Sequence, residues 1–366
     1  LTETGNYIIS VGMPDRIELP TVPNYIKDYD VTTKYTLTVT GASQNSIRLQ
    51  DPCTVKPSLA FSPVEDISHL TLAEQYARLS LFVNQPSNKD PVYIYPDNFD
   101  TCVVADLQEA IDVGVKAWGN YGPLEFWIVG TNEAAATALD KRYCELRKQK
   151  DLTVSLEHCL NRDHNFVWYA KGGNAGLNTR RNENEKWSGF IITMSAKFPG
   201  PQEEDYKPVV LHEYFHLYQH AHIHSKKDSE RKSRNRENPW WAEGGAEYLA
   251  QLLYSKQEGV RPSYLKETMK FKLKSLKDLR EGESIKDIPY GKRGGIAYDL
   301  GAWFIAFIIN KTSEEAYRVK FFRDLNTKGF EGSFVKNFGA SSKDLLDEFH
   351  NTFLRLSLED KMKIMP

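Results

Sequence analysis

Residues 1–60 alternate β-branched or aromatic positions with polar ones in short stretches, "NYIISV", "DRIELP", "TKYTLTVT" and "NSIRLQ", divided by Pro, Gly and Asp. A period of two is that of a half-buried strand, which predicts a small β unit over residues 1–65. From "SPVEDISHLTLAEQYARLSLFV" onward the period lengthens. Helices are expected at 104–118 and 132–148, between short apolar runs read as strands: "PVYIYP" (91–96), "LEFWIVG" (124–130), "NFVWYA" (165–170) and "GFIITMSAKF" (189–198). Residues 66–204 are therefore expected to form a sheet with helices packed on it. Beyond 205 the strand signal stops, and helical runs follow at 206–222, 240–257, 263–279, 295–310, 313–325 and 342–356. The predicted class is α+β: a β-rich unit, a sheet-bearing half, and a helical half over 205–366.

Composition narrows the function. The 366 residues carry 47 basic and 49 acidic side chains, a net charge of -2, so no global field draws the chain to nucleic acid or an anionic membrane. With 40% hydrophobic and 12% aromatic residues it can bury a sizeable core. The most apolar stretch, "GIAYDLGAWFIAFIIN" (295–310), contains Asp299 and is too short to span a bilayer core of about 30 Å comfortably, so it reads as a buried helix. The run "SKKDSERKSRNREN" (225–238) reads as a solvated loop. The chain begins "LTETGNYIIS", with neither Met nor a basic-then-apolar leader, which leaves open a removed signal peptide or a trimmed start. Cys53, Cys102, Cys144 and Cys159 form an even set without a Cys-x-x-Cys pair. Two disulfides are expected, one closing the fifteen positions between Cys144 and Cys159, and with them an extracytoplasmic or secreted location; free thiols in a cytosolic protein are the alternative.

Chemistry enters with "PVVLHEYFHLYQH" (208–220). Pro208 suits a helix's first turn, and no breaker follows it. On a helix His212 and His216 project from one face one turn apart, the separation at which two imidazoles converge on a single ion. Glu213 lies about 100° around the axis, a position for a base rather than a ligand. His220, His222 and His224 follow, but His220 is roughly 12 Å of axial rise from His212, too far to share one ion. These three are expected to be exposed or to support the ligands from behind. A catalytic zinc usually takes three protein ligands, and a carboxylate on another helix is the remaining source. In "NPWWAEGGAEYLAQLLY" (238–254), Asn238 is a plausible N-cap and Pro239 a first helical residue, which puts Glu243 and Glu247 on one face. Gly244 and Gly245 cost a helix up to about 1 kcal/mol each, yet permit close approach of a second backbone.

His212-Glu213-x-x-His216 followed by "WWAEGGAEY" resembles the gluzincin metallopeptidases, most closely their bacterial-collagenase and glycyl-aminopeptidase branches. In these a Trp-x-x-Glu-Gly or Trp-x-Glu-Gly segment on a second helix brings the third zinc ligand; here residues 217–242 intervene. The resemblance covers about residues 90–366. It implies a zincin-like catalytic domain, Glu243 as third ligand and Glu247 as the carboxylate orienting a ligand histidine. "AYDLGAWFIAFII" resembles the gluzincin Tyr-x-x-Gly segment, which implies Tyr298 as donor to a tetrahedral oxyanion; a core tyrosine is the alternative. The Gly-x-Met-Glu-Asn segment with which related aminopeptidases bind a substrate N-terminus is absent. The N-terminal β unit matches no accessory module.

The activity so implied is zinc-dependent peptide hydrolysis, with His212, His216 and Glu243 holding the ion and Glu213 as general base. Peptide or protein is the expected substrate, laid along an edge strand for which "SGFIITMSAKF" is the candidate, with an interior strand as the alternative. Trp240 and Trp241 would wall the cleft or fill the core. A hydrolase or lyase acting on a non-peptide substrate, and a non-catalytic binding protein braced by zinc, use the same ligands and stay open. Oligomeric state is not legible.

Overall fold

The computed structural model describes residues 90–121, 123–150, 155–162, 166–173, 175–180, 189–197, 205–223, 225, 229–230 and 239–366. The β unit expected at 1–65, the N-cap Asn238, His224 and most of the basic run lie outside these residues. What is described is a mixed α+β fold, mostly helical, with one small sheet.

Three short buried strands lie parallel in the order β1 (Val92–Ile94), β2 (Leu124–Ile128) and β4 (Gly189–Met194), and β3 (Ala175–Arg180) runs antiparallel on the far side of β4. Leu124 pairs with Phe190, and Leu177 with Ile192. Alternation along β2 sends Leu124, Phe126 and Ile128 to one face and Glu125 and Trp127 to the other. The first face packs against α1 (Thr101–Trp118) and α5 (Lys207–Ala221); the second packs against α2 (Glu133–Lys150), α3 (Leu156–Arg162) and α4 (Phe166–Gly172). Asp100 caps α1 by accepting from the Cys102 amide at 2.8 Å. Cys144 and Cys159 are bonded, as their spacing predicts, and tie α3 to α2. Cys102 is disulfide-bonded as well.

Two expectations fail here. "NFVWYA" is helix α4, not a strand: Phe166 and Ala170, four apart, are its buried face. Its first turn is held from a distance, because Asp140 on α2 accepts from the Phe166 amide at 2.8 Å. The other correction concerns the edge. "SGFIITMSAKF" contains β4, an interior strand, and the sheet edge nearest α5 is β3, whose polar sequence "AGLNTR" gives little strand signal.

The helical half follows α5 with α6 (Pro239–Tyr254), α7 (Tyr264–Lys272), α8 (Gly294–Lys311), α9 (Phe322–Phe338), α10 (Ser342–Asn351) and α11 (Leu358–Met362). The segment expected as one helix over 263–279 ends its α-helical part at Lys272 and continues as a 3-10 turn, Leu273–Asp278. The run at 313–325 enters a π-helical turn at Ala316–Phe321 and continues as α9 to Phe338, broken only at Gly329. α8 is the buried apolar helix its composition predicts, and no helix among the described residues is long and apolar enough to cross a membrane.

Close approach does occur at the glycine pair of α6, but against α8. A Cβ on Gly244 would overlap the Gly301 backbone, and one on Gly301 would overlap the Trp240 carbonyl. The two helices therefore touch backbone to backbone. Gly245 instead makes room for Tyr317 and Gln219. Trp240 and Trp241 are core residues, packed among Phe304, Phe321, Phe330 and Phe334 rather than walling a cleft.

Candidate metal centre

α5 runs behind the sheet and presents His212 and His216 toward α6, one turn apart, with ring centroids 4.7 Å from each other. Glu243 arrives from α6. His212 Nε2 and His216 Nε2 are 3.1 Å apart, and Glu243 Oε2 stands 3.2 Å from the first and 2.9 Å from the second. Among the described residues this trio is the one group of His, Cys, Asp or Glu side chains close enough to share an ion.

The surrounding bonds assign the protons. Glu247, one turn beyond Glu243, meets His212 Nδ1 at 3.0 Å through Oε2. Its other oxygen takes Lys272 at 2.7 Å and Gln251 at 2.9 Å. Burial alone would raise the Glu247 pKa, but Lys272 and His212 hold it well below the usual carboxylate range, so Glu247 is an anion that only accepts. His212 Nδ1 therefore carries the hydrogen. On the second ring, Gln219 donates to the Ala242 carbonyl at 2.9 Å, which turns its Oε1 toward His216 Nδ1 at 2.8 Å. That nitrogen also donates.

When neutral, each ring thus offers its Nε2 lone pair, and the third atom, a carboxylate oxygen, is an acceptor too. Three acceptors within 3.2 Å of one another repel unless a cation or a shared proton sits among them. The titration behaviour records the same demand. Burial pulls both imidazoles down, but the carboxylates beside them outweigh it, so His216 sits above and His212 well above the ordinary histidine value. Glu243 sits well below the carboxylate range: burial raises it, and the two imidazoles more than reverse that. The donor set could hold a metal ion: a tetrahedral zinc with bonds of about 2.0–2.1 Å would set its ligand atoms about 3.3–3.4 Å apart, slightly wider than the 2.9–3.2 Å between these atoms.

Glu213 flanks the trio. It is 7% exposed, and its Oε2 has no hydrogen-bond partner among the described residues. The Leu177 amide of edge strand β3 lies near this carboxylate and favours its charged form. Burial pushes its pKa up, with the neighbouring imidazoles pulling the other way. A buried carboxylate oxygen left without a donor is costly. At this position only a donor from outside the described residues would satisfy it.

Tyr298 lies on α8 with its ring parallel to His212, centroids 6.3 Å apart, and its hydroxyl lies against Glu243. Burial, then the Glu243 charge, pushes its pKa far up, so the phenol keeps its hydrogen. Sequence reasoning missed three supporting residues. Tyr290, on the loop before α8, donates to Glu243 Oε1 at 2.7 Å. Gln219 orients His216, and Lys272 fixes Glu247 while reaching Asp299 at 3.4 Å. Only Gln219 had a local signal, a polar residue three positions after His216 on the same helix.

Of the trailing histidines, His220 and His222 stay outside the cluster. His222 corrects the expectation that they would be exposed or would back the ligands: it is 3% exposed, donates from Nδ1 to the Tyr218 carbonyl at 2.7 Å, and packs among Tyr121, Tyr218 and Phe322. His220 is partly buried.

Compared with protein families, curated proteins and solved structures, the chain finds no match.

Proposed function

We propose that the chain is a zinc-dependent peptidase of the gluzincin kind, on a zincin-like fold, with His212, His216 and Glu243 holding the ion and Glu213 as general base. The observation that carries this reading is the unpaired, buried Oε2 of Glu213 beside three converging acceptor atoms. A purely structural metal site gains nothing from a free base next to the ion.

Zinc held by His212, His216 and Glu243 would supply Lewis acidity, polarising a carbonyl and lowering the pKa of water toward 7. Glu213 takes one proton from the attacking water at its Oε2 as the oxygen–carbon bond forms. The same carboxyl then passes that proton to the amide nitrogen as the carbon–nitrogen bond breaks, leaving an acid and an amine. Tyr298 keeps its proton at working pH and donates a hydrogen bond to the oxyanion of the tetrahedral intermediate. Glu247 and Gln219 hold the two imidazoles in the tautomer that leaves each Nε2 free.

β3 favours an extended peptide as substrate. It is the sheet edge beside α5, no strand among the described residues pairs with its outer side, and its Leu177 amide lies near Glu213. A peptide added to that edge has its carbonyls running past the base. The Cys144–Cys159 bond supports an extracytoplasmic location.

Incubating the zinc-loaded protein with a diverse mixture of peptides and folded proteins, with Glu213→Gln as the blank, tests the reading by mass spectrometry. New cleavages in the wild type alone are expected. Absence of cleavage with zinc confirmed bound would contradict the peptidase and turn attention to non-peptide bonds.

A further inference from the structure

Tyr290 is out of place by the rules that position aromatic residues. It is 51% exposed, so burial does not hold its ring where it is. It sits between Ile288, a buried anchor, and Gly291, whose φ of +120° lets the chain turn back so that the Gly294 amide reaches the Gly291 carbonyl at 2.9 Å. The turn delivers one phenol onto one oxygen: Tyr290 donates to Glu243 Oε1 at 2.7 Å, with its ring edge-on to Tyr298.

The choice of oxygen matters. Glu243 Oε2 is the atom that meets both histidine nitrogens, and Oε1 is the one that would have to swing inward for the carboxylate to bind an ion through both oxygens. Grip by both carboxylate oxygens would take a site of two imidazoles, one carboxylate oxygen and one water from four ligands to five. A hydrogen bond to Oε1 opposes that swing, and Tyr298 lies against the same carboxylate. We infer that Tyr290 is a positioning residue that clamps Glu243 as a one-oxygen ligand and so holds the site at four ligands, one of them water or substrate. The inference rests on the zinc-site reading above.

Tyr290→Phe removes the hydroxyl alone, from a half-exposed loop residue. The protein stripped with a chelator would be titrated with zinc and, separately, with cobalt(II) as a spectroscopic stand-in. For Tyr290→Phe we expect zinc to bind about tenfold more weakly, the low end for loss of a supporting hydrogen bond. The visible cobalt absorption should fall in intensity, as it does when four-coordinate cobalt becomes five-coordinate. Zinc affinity within about twofold of wild type with a superimposable cobalt spectrum would overturn the clamp while leaving the metal site standing. Failure of the wild type itself to bind either ion would overturn both.

Discussion

Glu125 and Glu213 are both buried glutamates, 2% and 7% exposed, on opposite faces of the same small sheet, and they are satisfied differently. Glu125 has each oxygen 2.6 Å from Arg147 Nη2, and Trp127 Nε1 adds a bond at 3.0 Å. The charge and both oxygens of this carboxylate are met within the protein, as in a structural ion pair. Glu213 keeps one oxygen without a donor, next to three further acceptors drawn together from α5 and α6. Burial of charge therefore does not by itself mark function. The informative difference is whether the carboxylate has its own donors or is left with an oxygen unmet beside further acceptors.

Substitutions at the two glutamates should separate most sharply. Glu213→Gln should cut peptide turnover by about 10²–10⁴-fold with zinc affinity retained, measured by initial rates and metal content. Unchanged turnover would remove Glu213 from the chemistry. At the other site, Glu125→Leu leaves Arg147 buried beside an apolar group. A loss of about 3–5 kcal/mol in urea unfolding is expected, with turnover per folded molecule unaltered. Adding Arg147→Met should recover much of that loss, and if the double variant is no better than the single one, Glu125–Arg147 is not the closed pair described.

Smaller effects probe the demand itself. Glu247→Gln should weaken zinc binding about 10–100-fold, because His212 loses its anionic acceptor. The pH dependence has a defined sign. In the metal-free fold His212 and His216 sit above the ordinary value of about 6.5, so their contribution to stability is fully present below that pH and is lost as pH rises through the raised values. Zinc must displace those protons. Its stabilising increment, read as the difference in Tm with and without zinc, should therefore grow between about pH 6 and pH 8. An increment that is flat or shrinks over that window would place the ion elsewhere.

Much of this was legible where one helix carried both signal and consequence. The i, i+4 histidines, the glutamate between them and the Glu243/Glu247 face of α6 all follow from helical spacing, and the structure brings these residues together. Legibility failed where the deciding contact is distant in sequence. "NFVWYA" has strand-like residues, but its helix is started by Asp140, 26 positions earlier, which no local pattern records. β3 was missed because "AGLNTR" has no apolar alternation; its partner β4 makes it a strand. The supporting residues Tyr290 and Lys272 lie 47 and 25 positions from the side chains they hold, Glu243 and Glu247, on elements whose packing sets the match.

The measurement that tests the central claim most directly is calorimetric titration of zinc into the chelator-stripped protein, beside His216→Ala, in two buffers of different ionisation enthalpy. One zinc per chain, bound with release of protons and lost in the variant, is the predicted result. No binding, or binding indifferent to His216, would contradict the metal centre and the hydrolytic chemistry built on it.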